Sequence, residues 1–184
     1  KYIINNGIFE EEILVSKIYG QPSLIFEDES DNYTNYWSNT SEWSNTYEDY
    51  FSPQTSITDS PYSNYRNNAE EIIQLVQPVN LSGLIYAEIN YDAKWNIESR
   101  YDYVQCEISI DEGETWIPQC GNYTNKGVET HDYALDEPLY DGNQSQWINE
   151  TIVISDYTED EVLVRFKLYT DVGLRRDGFY FDNF

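Results

Sequence analysis

The sequence predicts an all-β protein, a jelly-roll β-sandwich of two packed sheets, from three observations. The 184 residues include 18 Tyr, 5 Trp and 7 Phe, and aromatic side chains favour pleated, half-buried strands over helices. Apolar residues recur at every second position in successive stretches, which is the period of a strand with one buried face. The connections between these stretches are often longer than hairpins, as in Greek-key and jelly-roll crossings.

The clearest predicted strands follow one another from about residue 70 onward. In order they are Ile72–Val79, Leu84–Trp95, Tyr101–Ile110, Trp147–Ile154 and Val162–Tyr169. The second strand carries on one face Ile85, Ala87, Ile89, Tyr91, Ala93 and Trp95. The third groups Val104, Cys106, Ile108 and Ile110, and the last groups Val162, Val164, Phe166 and Leu168. Because side chains alternate along a strand, each set is expected to face the core.

The first third of the chain is less regular. A short strand at Ile13–Tyr19, closed by Gly20 and Pro22, is interpreted as a linker or as the last strand of a preceding domain. LIFEDE (24–29) is predicted as a strand, followed by long loops around a short strand. The predicted organisation is therefore a linker or terminal strand at residues 1–22 and one jelly-roll domain at residues 23–184.

The charge of the chain restricts its partners. The sequence has 34 acidic and 10 basic residues, for a net charge of −24. Such a surface repels nucleic acid and anionic membranes. No stretch reaches the ~20 apolar residues that a membrane span requires. The acidity instead favours solubility outside the cell and, where carboxylates converge, divalent cations.

One hairpin motif carries the first hint of chemistry. SIDEGETW (109–116) has the Ser-x-Asp-x-Gly-x-Thr-Trp form of an Asp-box, which recurs around the propellers of sialidases. A propeller needs several blades, whereas this sequence has one copy. Asp111 can accept backbone N–H groups within the turn and Gly113 can adopt positive φ. The motif therefore predicts a hairpin and is nearly uninformative about catalysis.

The same hairpin predicts a disulfide. A turn over Asp111–Thr115 brings together the pairs Ile110 and Trp116, Ile108 and Pro118, and Cys106 and Cys120. Directly opposed residues of antiparallel strands lie ~4.5–5.5 Å apart at Cα, which is within disulfide reach. A Cys106–Cys120 disulfide is expected, with two buried free thiols as the alternative. A bulge in the turn would shift the register by one residue and separate the pair.

The sequence contains no recognisable catalytic constellation. Its single histidine, His131, is expected to face solvent in a loop, and neither a zinc-binding HExxH nor a GxSxG nucleophile motif is present. Two carboxylates could hydrolyse a glycosidic bond, but among 34 acids nothing singles out a pair. The chain is therefore interpreted as a non-enzyme.

A calcium site is the preferred chemical hypothesis, because Ca²⁺ takes six to eight oxygen ligands and needs no histidine. Acids fall where predicted strands meet loops: Glu27 beside Asp28, then Asp59, then Asp182. The first and last strands of a jelly roll commonly lie side by side, so Glu27 and Asp182 are expected to meet. The alternative is that these are solvated acids and turn caps.

Four stretches of the chain together resemble a known family. They are SITDSPYSNYRNN (56–68), KWNIESRYDYVQCEISIDEGETWIPQCGNYT (94–124), PLYDGNQSQWINETIVISDYT (138–158) and LVRFKLYTDVGLRRDGFYFDNF (163–184). In this order they are similar to the non-catalytic, MAM-related jelly-roll domain that follows the catalytic domain in secreted bacterial zinc carboxypeptidases and immune inhibitor A-like metallopeptidases. The resemblance covers residues 24–184.

The resemblance implies a secreted accessory domain beside a peptidase domain. In related jelly rolls a Glu of the first strand and Asp residues of the closing strand bind calcium, which corresponds to Glu27 and Asp182. Many relatives close with two acids, whereas this chain has Asp182 followed by Asn183. Asp59 is a further candidate ligand. The zinc ligands of the peptidase have no counterpart here.

Two functions follow as hypotheses. The first is a calcium-stabilised accessory domain that assists a peptidase through docking, stabilisation, or attachment to a substrate or surface. The second is a carbohydrate-binding module, because exposed aromatic rings stack on sugars. Trp37, Trp43 and Trp95 are the candidate stacking residues, with core packing as the alternative for each.

Overall fold

A computed structural model of the chain describes residues 2–5, 8–11, 22–40 and 42–184. Two short strands, β1 (Tyr2–Asn5) and β2 (Ile8–Glu11), pair as an antiparallel hairpin. The strand predicted at Ile13–Tyr19 and its closing Gly20 lie outside the described residues. The assignment of residues 1–22 to a linker or a preceding domain remains a prediction.

The domain proper is built almost entirely of strands. In chain order they are β3 (Trp37–Asn39), β4 (Ser44–Thr46), β5 (Ser56–Thr58), β6 (Glu70–Leu75), β7 (Val79–Asn80), β8 (Glu88–Asn96), β9 (Tyr103–Ser109), β10 (Ile117–Pro118), β11 (Asn125–Lys126), β12 (Pro138–Leu139), β13 (Asn143–Val153), β14 (Glu161–Tyr169) and β15 (Gly178–Asp182). Two single-turn 3-10 helices occupy Tyr33–Asn35 and Ser155–Tyr157. The all-β prediction is confirmed.

Two antiparallel sheets form the sandwich. The first has the strand order β10-β9-β14-β6-β3, with β7 added on β14, and the second has the order β13-β8-β15-β5-β4. Neighbours in both sheets are mostly distant in sequence, so the chain crosses repeatedly between sheets, as a jelly roll requires. β11 and β12 pair separately in the loop that follows β10.

The core between the sheets is rich in aromatic rings. Phe166 of β14 stacks on Phe181 of β15 with ring centroids 4.5 Å apart, and Tyr91 meets Phe166 edge-on at 5.2 Å. Offset and edge-to-face pairs of this kind are favourable beyond their buried area. The predicted core faces of β8, β9 and β14 are confirmed at Ile89, Tyr91, Ala93, Trp95, Val104, Cys106, Ile108, Val162, Val164, Phe166 and Leu168.

Strand ends differ from the predictions where tertiary contacts decide them. The alternating pattern predicted a strand from Leu84, but β8 begins at Glu88 and Ile85 is 80% exposed. LIFEDE carries no regular strand; instead Asp28 exchanges both backbone hydrogen bonds with Phe184, at 2.8 and 3.0 Å. The expectation that the first and closing segments lie side by side is therefore confirmed at Asp28.

The SIDEGETW hairpin forms, but its predicted register is wrong by one residue. Ile108 pairs with Ile117, and Glu107 pairs with Pro118, so Gln119 rather than Cys120 lies opposite Cys106 and donates its N–H to the Cys106 carbonyl at 2.8 Å. A one-residue slip moves side chains to the other face. Cys106 is consequently buried and Cys120 exposed, and the predicted disulfide is absent because both cysteines are free.

The turn itself explains both the motif and the slip. Asp111 Oδ1 accepts the Thr115 N–H at 2.9 Å and the Ser109 hydroxyl at 2.7 Å. The Thr115 hydroxyl, the Thr115 N–H and the Ser109 hydroxyl lower the pKa of Asp111 to about 2. Glu112 and Gly113 adopt φ of 60° and 90°, and the pairing of Ile108 with Ile117 leaves one residue fewer in the loop than the predicted pairing of Ile108 with Pro118. The role of Asp111 as a turn cap is confirmed.

Candidate functional site

The predicted metal ligand Asp182 ends β15 and is 0% exposed. Its Oδ2 accepts the N–H groups of Phe51 and Ser52 at 3.0 and 2.8 Å. Its Oδ1 accepts the Asn183 N–H at 2.8 Å and the Ser30 hydroxyl at 3.2 Å. Protein donors thus engage both carboxylate oxygens, and Asp182 fixes the loop around residues 51–52 against the sheet.

Glu27, the predicted partner of Asp182, is exposed, and the next residue takes the buried position. Asp28 Oδ2 accepts the indole N–H of Trp37 at 2.7 Å, and Oδ1 accepts the Ser30 N–H at 3.1 Å. Burial raises the pKa of Asp28, and the negative charge of Asp182 adds to this rise. The two hydrogen bonds act to lower the pKa. The acids that approach each other at this end are therefore Asp28 and Asp182.

Asp59 follows β5 and is also 0% exposed. Its Oδ2 accepts the Phe179 N–H at 2.8 Å, whereas Oδ1 has no hydrogen-bond partner. Burial raises the pKa of Asp59 to about 7; the hydrogen bond from the Phe179 N–H and the neighbouring Ser60 hydroxyl oppose the shift, and the charges of Glu71 and Asp177 add to it. A Cβ at position 178 would lie 2.1 Å from Oδ1, which accounts for Gly178.

The three predicted ligands do not form one site. Tyr180 pairs with Thr58, so Asp59 lies beside Phe179, three residues along β15 from Asp182. At ~3.3 Å per residue this is a separation of about 10 Å, whereas calcium ligands lie 2.3–2.6 Å from the ion. One cation cannot bridge Asp59 and Asp182 in this arrangement.

A different set of acids converges at the Asp59 end of the sandwich. Glu98 and Asp102 come from the loop between β8 and β9, and Asp171 comes from the loop after β14. One carboxylate oxygen from each lies within 4.8 Å of the others, and Asp102 is buried between two half-buried partners. We refer to Glu98, Asp102 and Asp171 as the acidic triad. Among the described residues it is the one such acidic grouping.

Hydrogen bonds hold the acidic triad in place. Asp102 accepts the Tyr65 hydroxyl and the Asp171 N–H, both at 2.8 Å, and Glu98 accepts the Leu174 N–H at 2.8 Å. Burial raises the pKa of Asp102 to about 6; the two hydrogen bonds oppose the shift, and the charges of Asp171 and Glu98 add to it. Like charges are thus held close together, an arrangement that a cation would relieve.

The acidic triad is not evident in the amino-acid sequence, because its members are far apart along the chain. The deciding information is the pairing of β9 with β14, in which Tyr169 lies opposite Tyr103. Continuing this register past the strand ends brings Asp171 to the segment that contains Asp102. Glu98 and Asp171 follow strands and Asp102 precedes one, but no local pattern indicates that β9 and β14 are neighbours.

A comparison with protein-family models gives one match, to the immune inhibitor A-like MAM domain, over residues 54–184. The match spans well over half of the chain. The chain belongs to the immune inhibitor A-like MAM family. No curated protein matches it. Among the described residues of this MAM domain, no helix is both long enough and apolar enough to cross a membrane.

The tryptophans proposed to stack on sugars are core residues of this MAM domain. Trp37, Trp43 and Trp95 are 2%, 0% and 6% exposed. Trp37 packs on Phe181 and Trp95 stacks on Phe179, with ring centroids 5.4 and 5.8 Å apart. Their ring faces are covered, so the structure contradicts the stacking role and supports core packing, the alternative for each.

His131 also differs from its prediction, because it is buried rather than solvent-facing. Its Nδ1 accepts the Val128 N–H at 3.0 Å, and its Nε2 lies 3.5 Å from Asp141 Oδ2. Burial acts to raise the pKa of Asp141, but the neighbouring His131 ring and hydrogen bonds from the Arg100 N–H and Asn125 lower it to about 2. His131 therefore organises a loop of the MAM domain.

Three exposed aromatic rings lie close together in sequence on the loop that Asp182 anchors. Tyr47, Tyr50 and Phe51 are exposed, and Phe51 meets the half-buried ring of Trp147 at 6.3 Å. Asp49 accepts the Trp147 indole N–H at 3.1 Å and the Lys94 ammonium at 2.5 Å. We call this loop, residues 47–52, the aromatic loop.

Proposed function

We propose that this MAM domain is a non-catalytic accessory domain of a secreted metallopeptidase and supports its catalytic neighbour by docking or by binding substrate or surface. The observation that carries the proposal is the family match over residues 54–184. Immune inhibitor A-like MAM domains accompany peptidases, and the single histidine of this sequence is used to order a loop.

Activity measurements on the parent protein test this proposal. The isolated domain is expected to hydrolyse no peptide substrate, whereas deleting it from the parent peptidase is expected to lower the melting temperature or raise KM for a protein substrate. A short fluorogenic peptide serves as the control, because it needs the catalytic site alone. Unchanged stability, unchanged KM and unchanged surface attachment after deletion would contradict an accessory role.

We further propose that calcium stabilises the domain at the acidic triad. Three carboxylates from two loops offer oxygens within 4.8 Å of one another, which is the ligand chemistry that Ca²⁺ takes. Bound calcium would join the loop between β8 and β9 to the loop after β14. It would also remove the mutual repulsion of Asp102 with Asp171 and Glu98.

Calorimetric titration of the EDTA-treated domain with CaCl₂ tests the calcium proposal. Heat of binding and a higher melting temperature are expected for the wild type and for Glu27→Gln, the matched control at an exposed acid. Asp171→Asn is expected to weaken binding at least about tenfold, equivalent to about 1.4 kcal/mol. Equal calcium affinities of Asp171→Asn and the wild type would show that the calcium site lies elsewhere. An absence of heat would refute calcium binding.

Glycan binding remains a second candidate, and the aromatic loop is the observation that favours it. Phe51 and Trp147 present adjoining rings, and Lys94 and Asp49 supply polar groups beside them. A glycan array with the wild type and Phe51→Ala tests it. Binding that disappears in Phe51→Ala, while the melting temperature is retained, would support this candidate; an array without signal would remove it.

A further inference from the structure

A small cavity opens on the outer face of the first sheet, beside the acidic triad. Its volume is about 430 Å³, which falls toward the lower end of the range of ligand sites, ~300–1,000 Å³. Residues 68–70 and 169–172 line it from two neighbouring strands, and Asp132 lines it from a loop. Among the described lining residues, Glu70, Asp132 and Asp171 are acids and none is basic. The cavity therefore suits a ligand that carries a positive charge.

The register of the sheet places a tyrosine ring in this cavity. Tyr169 ends β14, opposite Glu70 of β6 on one side and Tyr103 of β9 on the other. Leu168 faces the core, so the next side chain, Tyr169, points to the outer face of the sheet. Tyr103 stacks on Tyr169 with ring centroids 5.3 Å apart and covers one face of its ring. The remainder of the Tyr169 ring is the aromatic surface that a ligand in the cavity meets.

The loop between β11 and β12 fixes a carboxylate beside this ring. Tyr103 donates its hydroxyl to the Asp132 carbonyl at 2.6 Å, and Tyr169 donates its hydroxyl to Asp132 Oδ2 at 3.3 Å. The next residue, Tyr133, is 88% exposed, and its ring meets Tyr169 edge-on with centroids 5.6 Å apart. Aromatic surface and a carboxylate are thus held together at the cavity.

The acids of the cavity have no basic partner within the described part of the domain. No ion pair among the described residues involves Glu70, Asp132 or Asp171. Burial raises the pKa of Tyr169, and the negative charges of Asp132 and Asp171 add to this rise. A cation in the cavity would be attracted both by the ring of Tyr169 and by these carboxylates.

The spacing of the acids favours an organic cation over a metal ion. Asp171 belongs to the acidic triad. In the part of the chain that the structure describes, Glu70 and Asp132 belong to no group of three acids whose oxygens lie within 4.8 Å of one another. Calcium requires oxygens that converge on one point. A guanidinium instead stacks on an aromatic ring and directs five N–H donors outward in one plane, so it can reach acceptors that lie apart.

We propose that the cavity binds an arginine side chain of a basic partner polypeptide. The guanidinium stacks on the Tyr169 ring and donates hydrogen bonds to the carboxylates of Asp132 and Glu70. A free amino acid is a poorer ligand, because its α-carboxylate would meet acids and, among the described lining residues, no basic group. The net charge of −24 attracts basic polypeptides at long range. Binding at this cavity requires neither calcium nor a neighbouring peptidase.

NMR titration of the isotope-labelled 184-residue chain in EDTA tests the site. The main probe is N-acetyl-arginine amide, and N-acetyl-citrulline amide is its neutral analogue of nearly the same shape. N-acetyl-lysine amide compares the two basic side chains, and free L-arginine compares the amino acid with a residue of a chain. The backbone amide signals of Glu70, Thr170 and Val172 report binding at the cavity.

Four variants of the protein locate the bound probe. Tyr169→Phe keeps the aromatic ring, whereas Tyr169→Leu replaces it with an aliphatic side chain. Glu70→Gln removes a charge at the cavity, and Glu27→Gln, the matched control, removes a charge at an exposed acid that does not line it. The melting temperature of each variant is measured first to establish that it folds.

N-acetyl-arginine amide is expected to bind the wild type, Tyr169→Phe and Glu27→Gln with similar affinity. Tyr169→Leu should bind it about fivefold more weakly, because the cation loses the ring. Glu70→Gln should bind it about twofold to fivefold more weakly, because an exposed ion pair is lost. The citrulline analogue should not bind, and N-acetyl-lysine amide and free L-arginine should bind more weakly than the main probe.

Three results would refute the site: no saturable shift in the wild type, equal binding of the citrulline analogue, or wild-type affinity in Tyr169→Leu. If Tyr169→Leu does not fold, Glu70→Gln decides, since unchanged affinity in that variant would also refute the site. Equal or tighter binding of N-acetyl-lysine amide would overturn the choice of arginine. Equal or tighter binding of free L-arginine would overturn the choice of a polypeptide.

Discussion

Replacing Asp59 with Asn is expected to stabilise the domain at neutral pH. Asp59 is fully buried, and its Oδ1 lacks a hydrogen-bond partner. An asparagine can keep the acceptor that Phe179 uses and place its NH₂ group where Oδ1 lies. Ser60 Oγ lies near that position. A Cβ built on Gly178 would be 2.5 Å from Ser60 Oγ and 2.1 Å from Asp59 Oδ1. The amide removes a buried charge without removing volume.

The magnitude follows from the shift in pKa. Burial raises the pKa of Asp59 from 3.8 to about 7, and each pKa unit corresponds to 1.36 kcal/mol. The unfolded chain releases this proton near pH 4, whereas the folded domain holds it until about pH 7. Between these values the folded state binds more protons, so the stability of the wild type falls as pH rises. Asp59→Asn should gain up to about 4 kcal/mol above pH 7 and nothing at pH 4.

Urea denaturation in EDTA at pH 4, 6 and 8 measures this difference. The matched control is Glu27→Gln, which also removes one negative charge but at an exposed residue. The control should follow the wild type at every pH. A loss of stability in Asp59→Asn that is equal at pH 4 and pH 8 would refute the reasoning. A loss that occurs only when calcium is added would instead identify Asp59 as a metal ligand.

Three further predictions concern groups in other environments. Asp182→Asn should destabilise the domain by about 3 kcal/mol in thermal or urea unfolding, since an amide NH₂ would replace a buried carboxylate oxygen that accepts two loop N–H groups; an unchanged midpoint would contradict this. Asp111→Ala should lower the melting temperature at pH 7 and much less at pH 2, where the wild-type carboxylate is half protonated. Iodoacetamide should label Cys120 in the native protein and Cys106 only after unfolding. If neither cysteine is labelled, the result would contradict the free thiols and support a disulfide.

The fold could be predicted from the sequence because strand signals are local. Alternation in β8, β9 and β14 reflects side chains that face one core, so three of the core faces followed directly from the period of the pattern. Turn chemistry around Asp111 was equally readable, since its contacts lie within four residues. The register was not readable: the loop holds one residue fewer than predicted, which separates Cys106 from Cys120, and no local rule fixes the length of such a loop.

The sequence by itself determined the class of fold, the family resemblance and the acidity, because each depends on composition or on contiguous residues. The tertiary structure alone decided which acids meet. Asp28 rather than Glu27 approaches Asp182, because one residue of alternation separates a buried side chain from an exposed one. Asp171 joins Asp102 through the pairing of β14 with β9. Strand order and ladder ends arise from packing the whole chain, so no segment encodes them alone.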